Sequence, residues 1–181
     1  PLDFYGRLWL GVSNSSHGIS GNEKVNGFSL ENFASYVGIK GDYDVHEDFS
    51  LIYKFEAGVE SFDNDDTNIF KPRNSYLGFK VKYGSVVFGR NDTVFKTSEG
   101  KVDLFNITSS DMNMIIAGND RLGDLVTINT AKVAGMSLGI TYAFDDDFNQ
   151  KNPMLADNQN NYAVSIVYGD PSFKKGNSYE N

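Results

Sequence analysis

An all-β chain folded as an antiparallel up-and-down meander is what this sequence predicts, and three observations predict it. Apolar and polar residues alternate strictly in almost every segment that is not turn-like, which is the period-2 pattern of strands with two unlike faces. Aromatic residues and glycine are abundant, with 10 Tyr, 14 Phe and 18 Gly against only 4 Pro, a texture that suits many short strands joined by turns. The connections between alternating segments are long and short in turn, so the long ones collect at one end.

The first segment sets Leu2, Phe4, Leu8, Leu10 and Val12 on one parity, with Asp3, Tyr5, Arg7, Trp9 and Ser13 on the other. One face is aliphatic, the other polar and aromatic. A polar connection over 14–30 follows. Phe33, Val37 and Ile39 then oppose Tyr36, Gly38 and Lys40 in a second strand, which ends in a turn over 41–46. The third is the clearest, with Phe49, Leu51, Tyr53, Phe55, Ala57 and Val59 against Ser50, Lys54, Glu56, Gly58 and Glu60. After an acidic connection over 61–71, Leu77, Phe79 and Val81 oppose Tyr76, Lys80 and Lys82, and a tight Tyr83-Gly84 turn leads into Val86 and Phe88. A very long connection over 91–120 precedes a sixth strand with Val126 and Ile128 opposite Arg121, Leu125, Thr127 and Asn129. A short turn over 131–135 joins it to a seventh, with Leu138, Ile140, Tyr142 and Phe144 on one face. Past a long connection over 145–160, Tyr162, Val164, Ile166 and Tyr168 oppose Ala163, Ser165 and Val167 in an eighth.

Sorted loops have no rationale in a soluble sandwich, whereas an outer-membrane barrel has short turns at one rim and long loops at the other. Phe4, Phe33, Phe49, Tyr83, Tyr142, Phe144, Tyr162 and Tyr168 recur near the ends of the aliphatic faces, where interfacial aromatic girdles sit. The fold class expected is therefore a transmembrane antiparallel up-and-down β-barrel. Helical membrane proteins are excluded, because the longest apolar runs are three or four residues, as at Met114 to Ala117. With no Cys, disulfides, thiolate metal sites and thiol catalysis are excluded. A net charge of −8, with no dense Lys/Arg segment, argues against nucleic acid as a partner. Pro1-Leu2-Asp3-Phe4 leads straight into a strand without the charged and apolar regions of a secretory leader.

The chain resembles the Gram-negative general porins, trimeric diffusion channels of the bacterial outer membrane. The stretches that carry the resemblance are Phe4-Tyr5-Gly6-Arg7, Val37-Gly38-Ile39-Lys40-Gly41, Asn74-Ser75-Tyr76-Leu77-Gly78-Phe79 and Tyr83-Gly84-Ser85-Val86-Val87-Phe88-Gly89-Arg90, followed by Asn91-Asp92-Thr93-Val94-Phe95-Lys96. The resemblance implies one barrel domain over 1–181, the N-terminal portion of about sixteen strands. It also implies a third external connection, 91–120, folded inward as a constriction. The apolar residues there, among them Val94, Phe95, Leu104, Phe105, Met114 and Ile115, are too many for a solvated tail. Where these porins often carry Arg, Tyr36 and Tyr76 stand here.

The function this implies is passive diffusion of small hydrophilic solutes and ions through a water-filled channel. It needs no cofactor, metal or catalytic residue, and its partners are outer-membrane lipid and two further copies in a homotrimer. Glu99 and Asp103 are the candidates for the acidic side of the constriction. Arg7, Lys40, Lys54 and Lys80 are those for the basic side, with Tyr36 and Tyr76 as neutral lumen groups. Opposed rims of this kind set up a transverse field that favours dipolar solutes. The bland reading of each charge is a solvated surface residue. Arg90 shares parity with Val86 and Phe88, so it either follows a local kink or joins a subunit interface, with Asp65 and Asp66 as partners from the acidic connection. Asp63-Asn64-Asp65-Asp66 lacks the Gly and Glu of a calcium loop, and His17 and His46 lack zinc-site spacing. Two other readings stay open: a complete eight-stranded barrel with a structural or adhesive role, and a soluble carbohydrate-binding β-sandwich.

Overall fold

The computed structural model describes residues 1–15, 27–60, 62, 68–100, 121–144 and 161–169. Ten strands and one short helix fall within them: β1 (Leu2–Arg7), β2 (Leu10–Ser15), β3 (Gly27–Asn32), β4 (Tyr36–His46), β5 (Phe49–Val59), β6 (Phe70–Val81), β7 (Gly84–Asp92), α1 (Val94–Ser98), β8 (Arg121–Thr130), β9 (Met136–Ala143) and β10 (Asn161–Tyr168). Eight of the strands form one antiparallel sheet in the order β1-β4-β5-β6-β7-β8-β9-β10, and β2 and β3 form a separate hairpin. The eight-stranded meander is the one the alternation predicts, with β1 and β10 at its edges.

Three boundaries differ from the sequence expectation. The first strand is not continuous: it breaks at Leu8 and Trp9, and its second half pairs with β3, which begins inside the connection expected over 14–30. The break has a local cause. Ala34 takes a left-handed φ of 56°, and the buried Ser35 accepts from the Trp9 amide at 2.9 Å. The Asn32 side chain donates to the Val59 carbonyl at 2.7 Å and accepts from the Ser35 amide. These bonds replace the ladder where it bends. The turn expected over 41–46 is strand, since Asp42 and Asp44 pair with Ile52 and Ser50 and the reversal falls at Glu47 and Asp48. Their carboxylates point to the polar face, where a polar residue is no sign of a turn. The acidic connection is also shorter than expected, because β6 already begins at Phe70.

Register lines up unlike faces across the sheet. Leu2, Gly41, Tyr53, Leu77, Phe88, Val126, Tyr142 and Tyr162 form one row. Leu51, Phe79, Val86, Ile128, Ile140 and Val164 form the next. This face is open, with Phe4 80%, Tyr162 78%, Ile166 68% and Leu77 60% exposed. So much contiguous apolar surface is untenable in water and natural in lipid. Burial is instead concentrated on the polar face near β8 and β9, where Leu122, Leu125 and Ala143 cluster.

Candidate functional site

The polar face carries the charges. Arg7 stands opposite Tyr36, and Tyr36 opposite Gly58; Tyr5 is opposite Gly38, and Gly38 opposite Glu56. Asp3, Lys40, Lys54 and Tyr76 make the next row, and Asp44, Ser50, Lys80, Ser85 and Asn129 another. The strand ladder thus brings Arg7, Lys40, Lys54, Lys80, Tyr36 and Tyr76 to one face, as the parity of each segment requires.

Three features that alternation does not disclose organise this wall. Gly38 leaves β4 bare, so Tyr5 lies across it; a Cβ at Gly38 would stand 2.8 Å from the Tyr5 hydroxyl and 2.9 Å from the Phe55 carbonyl oxygen. Tyr5 thereby reaches β5 and donates to Glu56 Oε2 at 2.9 Å. Glu56 is the second feature. Only 4% exposed, its carboxylate also pairs with Lys54 at 3.2 Å and with the Arg73 guanidinium. Such a buried carboxylate needs its partners, since removing them would leave an uncompensated charge.

The third is a bulge. Between the pairs Phe55–Ser75 and Ala57–Pro72, the single residue Glu56 faces both Arg73 and Asn74. Two consecutive side chains therefore turn to the polar face. Arg73 goes to Glu56, while Asn74 donates to Asp92 Oδ2 at 2.9 Å and accepts from Arg121, whose Nε is 3.0 Å from Asp92 Oδ1. Glu56, Arg73, Asn74, Asp92 and Arg121 are thus wall residues that the sequence expectation does not single out. Pro72 was the available sign, because a proline inside a strand marks an edge or a bulge.

Cations and rings alternate here. The Arg7 guanidinium lies 4.7 Å from the Trp9 ring centroid and 5.3 Å from that of Tyr36. Arg73 lies 4.8 Å from Tyr36, and Lys40 lies 5.3 Å from Tyr5. Each contact lies within the range at which a cation is attracted by an aromatic face.

The start of the third long connection lies on this same polar face. Thr93 caps α1, its hydroxyl accepting from the Lys96 amide at 3.1 Å. The Val94 amide donates to Thr141 Oγ1 at 3.0 Å. Val94 is 2% exposed, and its Cγ1 would stand 3.0 Å from a Cβ at Gly139. Small residues on β9 make the dent that receives it. Glu99 closes the helix, its amide bonded to the Lys96 carbonyl. Asp103, like Asp65 and Asp66, lies outside the described residues.

Arg90 stays on the apolar face, opposite Ser75. It sits at a register shift between Gly89 and Asn91, flanked by left-handed Gly89 (φ 126°) and Asp124 (φ 49°).

A family model described as Gram-negative porin matches residues 2–181. The chain belongs to the Gram-negative porins. This porin is thereby an outer-membrane β-barrel chain, which accounts for an apolar face open to its surroundings. No curated protein matches it. Among solved structures it is similar to the anion-selective porin from Comamonas acidovorans, at 18% identity and a TM-score of 0.60 over 81% of this chain and 47% of that one. It is similar to OmpT of Vibrio cholerae in its trimer form, at 16% identity and a TM-score of 0.62 over 94% of this chain and 46% of that one. Salmonella typhi OmpF in complex with daunomycin matches at 19% identity and a TM-score of 0.60, over 93% and 50%. The porin chain thus spans about half the length of the solved porins it matches.

Proposed function

We propose that the protein containing this chain is a homotrimeric channel through which small hydrophilic solutes and ions diffuse passively across the outer membrane. Family membership points to a channel rather than an enzyme. The observation that carries the reading is the two-faced sheet with α1 on its polar side. Cations line one part of that face, and the third connection begins by leaning on the neutral part, at Thr141 and Gly139. In this reading 91–120 narrows the bore, Glu99 and Asp103 form the acidic side, and Arg7, Lys40, Lys54 and Lys80 form the basic side. Water in the gap would feel the transverse field between them. Arg90, set on the apolar face beside Ser75, would meet Asp65 and Asp66 of a neighbouring copy. The trimeric form of a structural relative supports the assembly.

The test is conductance of the full-length trimer in planar lipid bilayers. Stepwise openings that scale with salt concentration are expected. Folded, inserted trimers that never conduct would refute the channel.

A further inference from the structure

We propose that Tyr36 is a positioning residue of the pore wall: its ring gathers the Arg7 and Arg73 guanidiniums into one cationic spot and so strengthens the wall's pull on small anions. The inference rests on the channel reading above and concerns one position within it.

The two arginines come from strands that are not neighbours. Arg7 is on β1, directly opposite Tyr36. Arg73 is on β6, with β5 between it and β4. It reaches the ring because the β6 bulge turns it inward and because β5 carries Gly58 opposite Tyr36. A Cβ at Gly58 would stand 3.4 Å from Arg73 Cδ, so the stem of the arginine runs across the bare glycine. The ring is itself held by an edge contact with Tyr5, 6.0 Å between centroids at 66°.

Two guanidiniums beside one another repel. Arg73 is partly compensated by Glu56. For Arg7, among the described residues, the hydrogen bond is a long one, 3.4 Å to the Ala34 carbonyl. A flexible, exposed arginine with so weak a bond would sample many rotamers. The aromatic faces of Trp9 and Tyr36 are what restrict it. Tyr36 adds no charge, and a third guanidinium at its place would crowd the other two. A neutral π-face there holds two cations by their planes and leaves the N–H edge of Arg7, and the part of Arg73 not bonded to Glu56, for a passing anion.

The experiment is the reversal potential of the full-length protein in bilayers under a KCl gradient, for the unmodified protein, Tyr36→Phe, Tyr36→Leu and Gly58→Val. Phenylalanine keeps the ring face and is expected to keep the chloride-to-potassium permeability ratio. Tyr36→Leu removes the face, and Gly58→Val displaces the Arg73 stem while leaving Tyr36 intact. Each is expected to lower the ratio about twofold, the population change that one exposed cation–π contact supports. A ratio unchanged in Tyr36→Leu would overturn the role of Tyr36, as would a fall in Tyr36→Phe as large as in Tyr36→Leu. If Tyr36→Leu fails to insert, Gly58→Val decides by the same criterion. Absence of conductance in the unmodified protein would instead overturn the channel reading itself.

Discussion

Replacing Thr141 by valine should loosen α1 from the wall while leaving the sheet intact. Valine keeps nearly the shape of threonine, so the dent at Gly139 remains. What disappears is the acceptor for the Val94 amide at 3.0 Å, together with the 3.4 Å hydroxyl contact to Thr127. Both threonines are 2% exposed, so water does not readily replace the lost bond, and leaving a buried donor unpaired costs about 1–3 kcal/mol. At about 1.4 kcal/mol per factor of ten, α1 should lift off roughly five- to a hundredfold more often. The strand ladders on either side of position 141 use backbone groups and are untouched. The assay is amide hydrogen exchange, resolved by NMR, on the protein in detergent micelles. The Val94 amide should exchange at least about fivefold faster, amides of β8 and β9 at their former rates, and Thr141→Ser should restore protection. Unchanged exchange at Val94 in Thr141→Val would refute the argument that this hydroxyl anchors the helix. Uniform loss of protection across β9 would refute the claim that the anchor is separable from the sheet.

Gly38→Val should destabilise the barrel by about 1–3 kcal/mol, because the new Cβ would meet the Tyr5 ring at 2.8 Å and the fixed Phe55 carbonyl at 2.9 Å. A urea midpoint equal to that of the unmodified protein would show that Tyr5 does not need the slot. Glu56→Gln leaves Lys54 and Arg73, each about one-fifth exposed, without their carboxylate. It should destabilise the fold by about 1–3 kcal/mol, less than for a fully buried pair because solvent screens the two cations in part. The same variant should move the reversal potential toward chloride, since one negative charge leaves the wall. A shift toward potassium would contradict the placement of Glu56 on the lumen side.

Much of this arrangement is legible from alternation alone. Parity puts Arg7, Lys40, Lys54 and Lys80 on one face and Phe4, Leu77 and Phe88 on the other, because a strand offers its side chains only two directions. What parity misses is wherever the chain departs from strict period two. Arg73 should point away from Tyr76 by counting, and it points the same way only because the bulge inserts one residue. Trp9 and Ser35 belong to a bend whose hydrogen bonds join residues more than twenty apart in sequence, as from the Trp9 amide to Ser35 Oγ. Two of the three partners of Glu56, Tyr5 and Arg73, were equally hidden. Tyr5, Lys54 and Arg73 converge on it from β1, β5 and β6, and the proximity of β1 to β5 exists only because Gly38 leaves the intervening strand bare.

The overall charge of −8 therefore misdescribes what a solute would meet. On the described wall Arg7, Lys40, Lys54, Arg73, Lys80 and Arg121 stand against Asp3, Asp42, Asp44, Glu56 and Asp92, which is close to balance rather than acidic. The acidic excess lies instead in the long connections, with Asp63, Asp65 and Asp66 in one and Asp145, Asp146 and Asp147 in another. Charges separated by more than a Debye length, about 8 Å at physiological salt, act almost independently. In the channel proposed above, charges on the wall and charges in the connections would then act in succession rather than as a sum. Where separations fall below that length, as around Arg7, Tyr36 and Arg73, the local charges weigh most. Raising the salt concentration shortens that length, so any anion preference set by Arg7 and Arg73 in the proposed channel should outlast the influence of charges farther away.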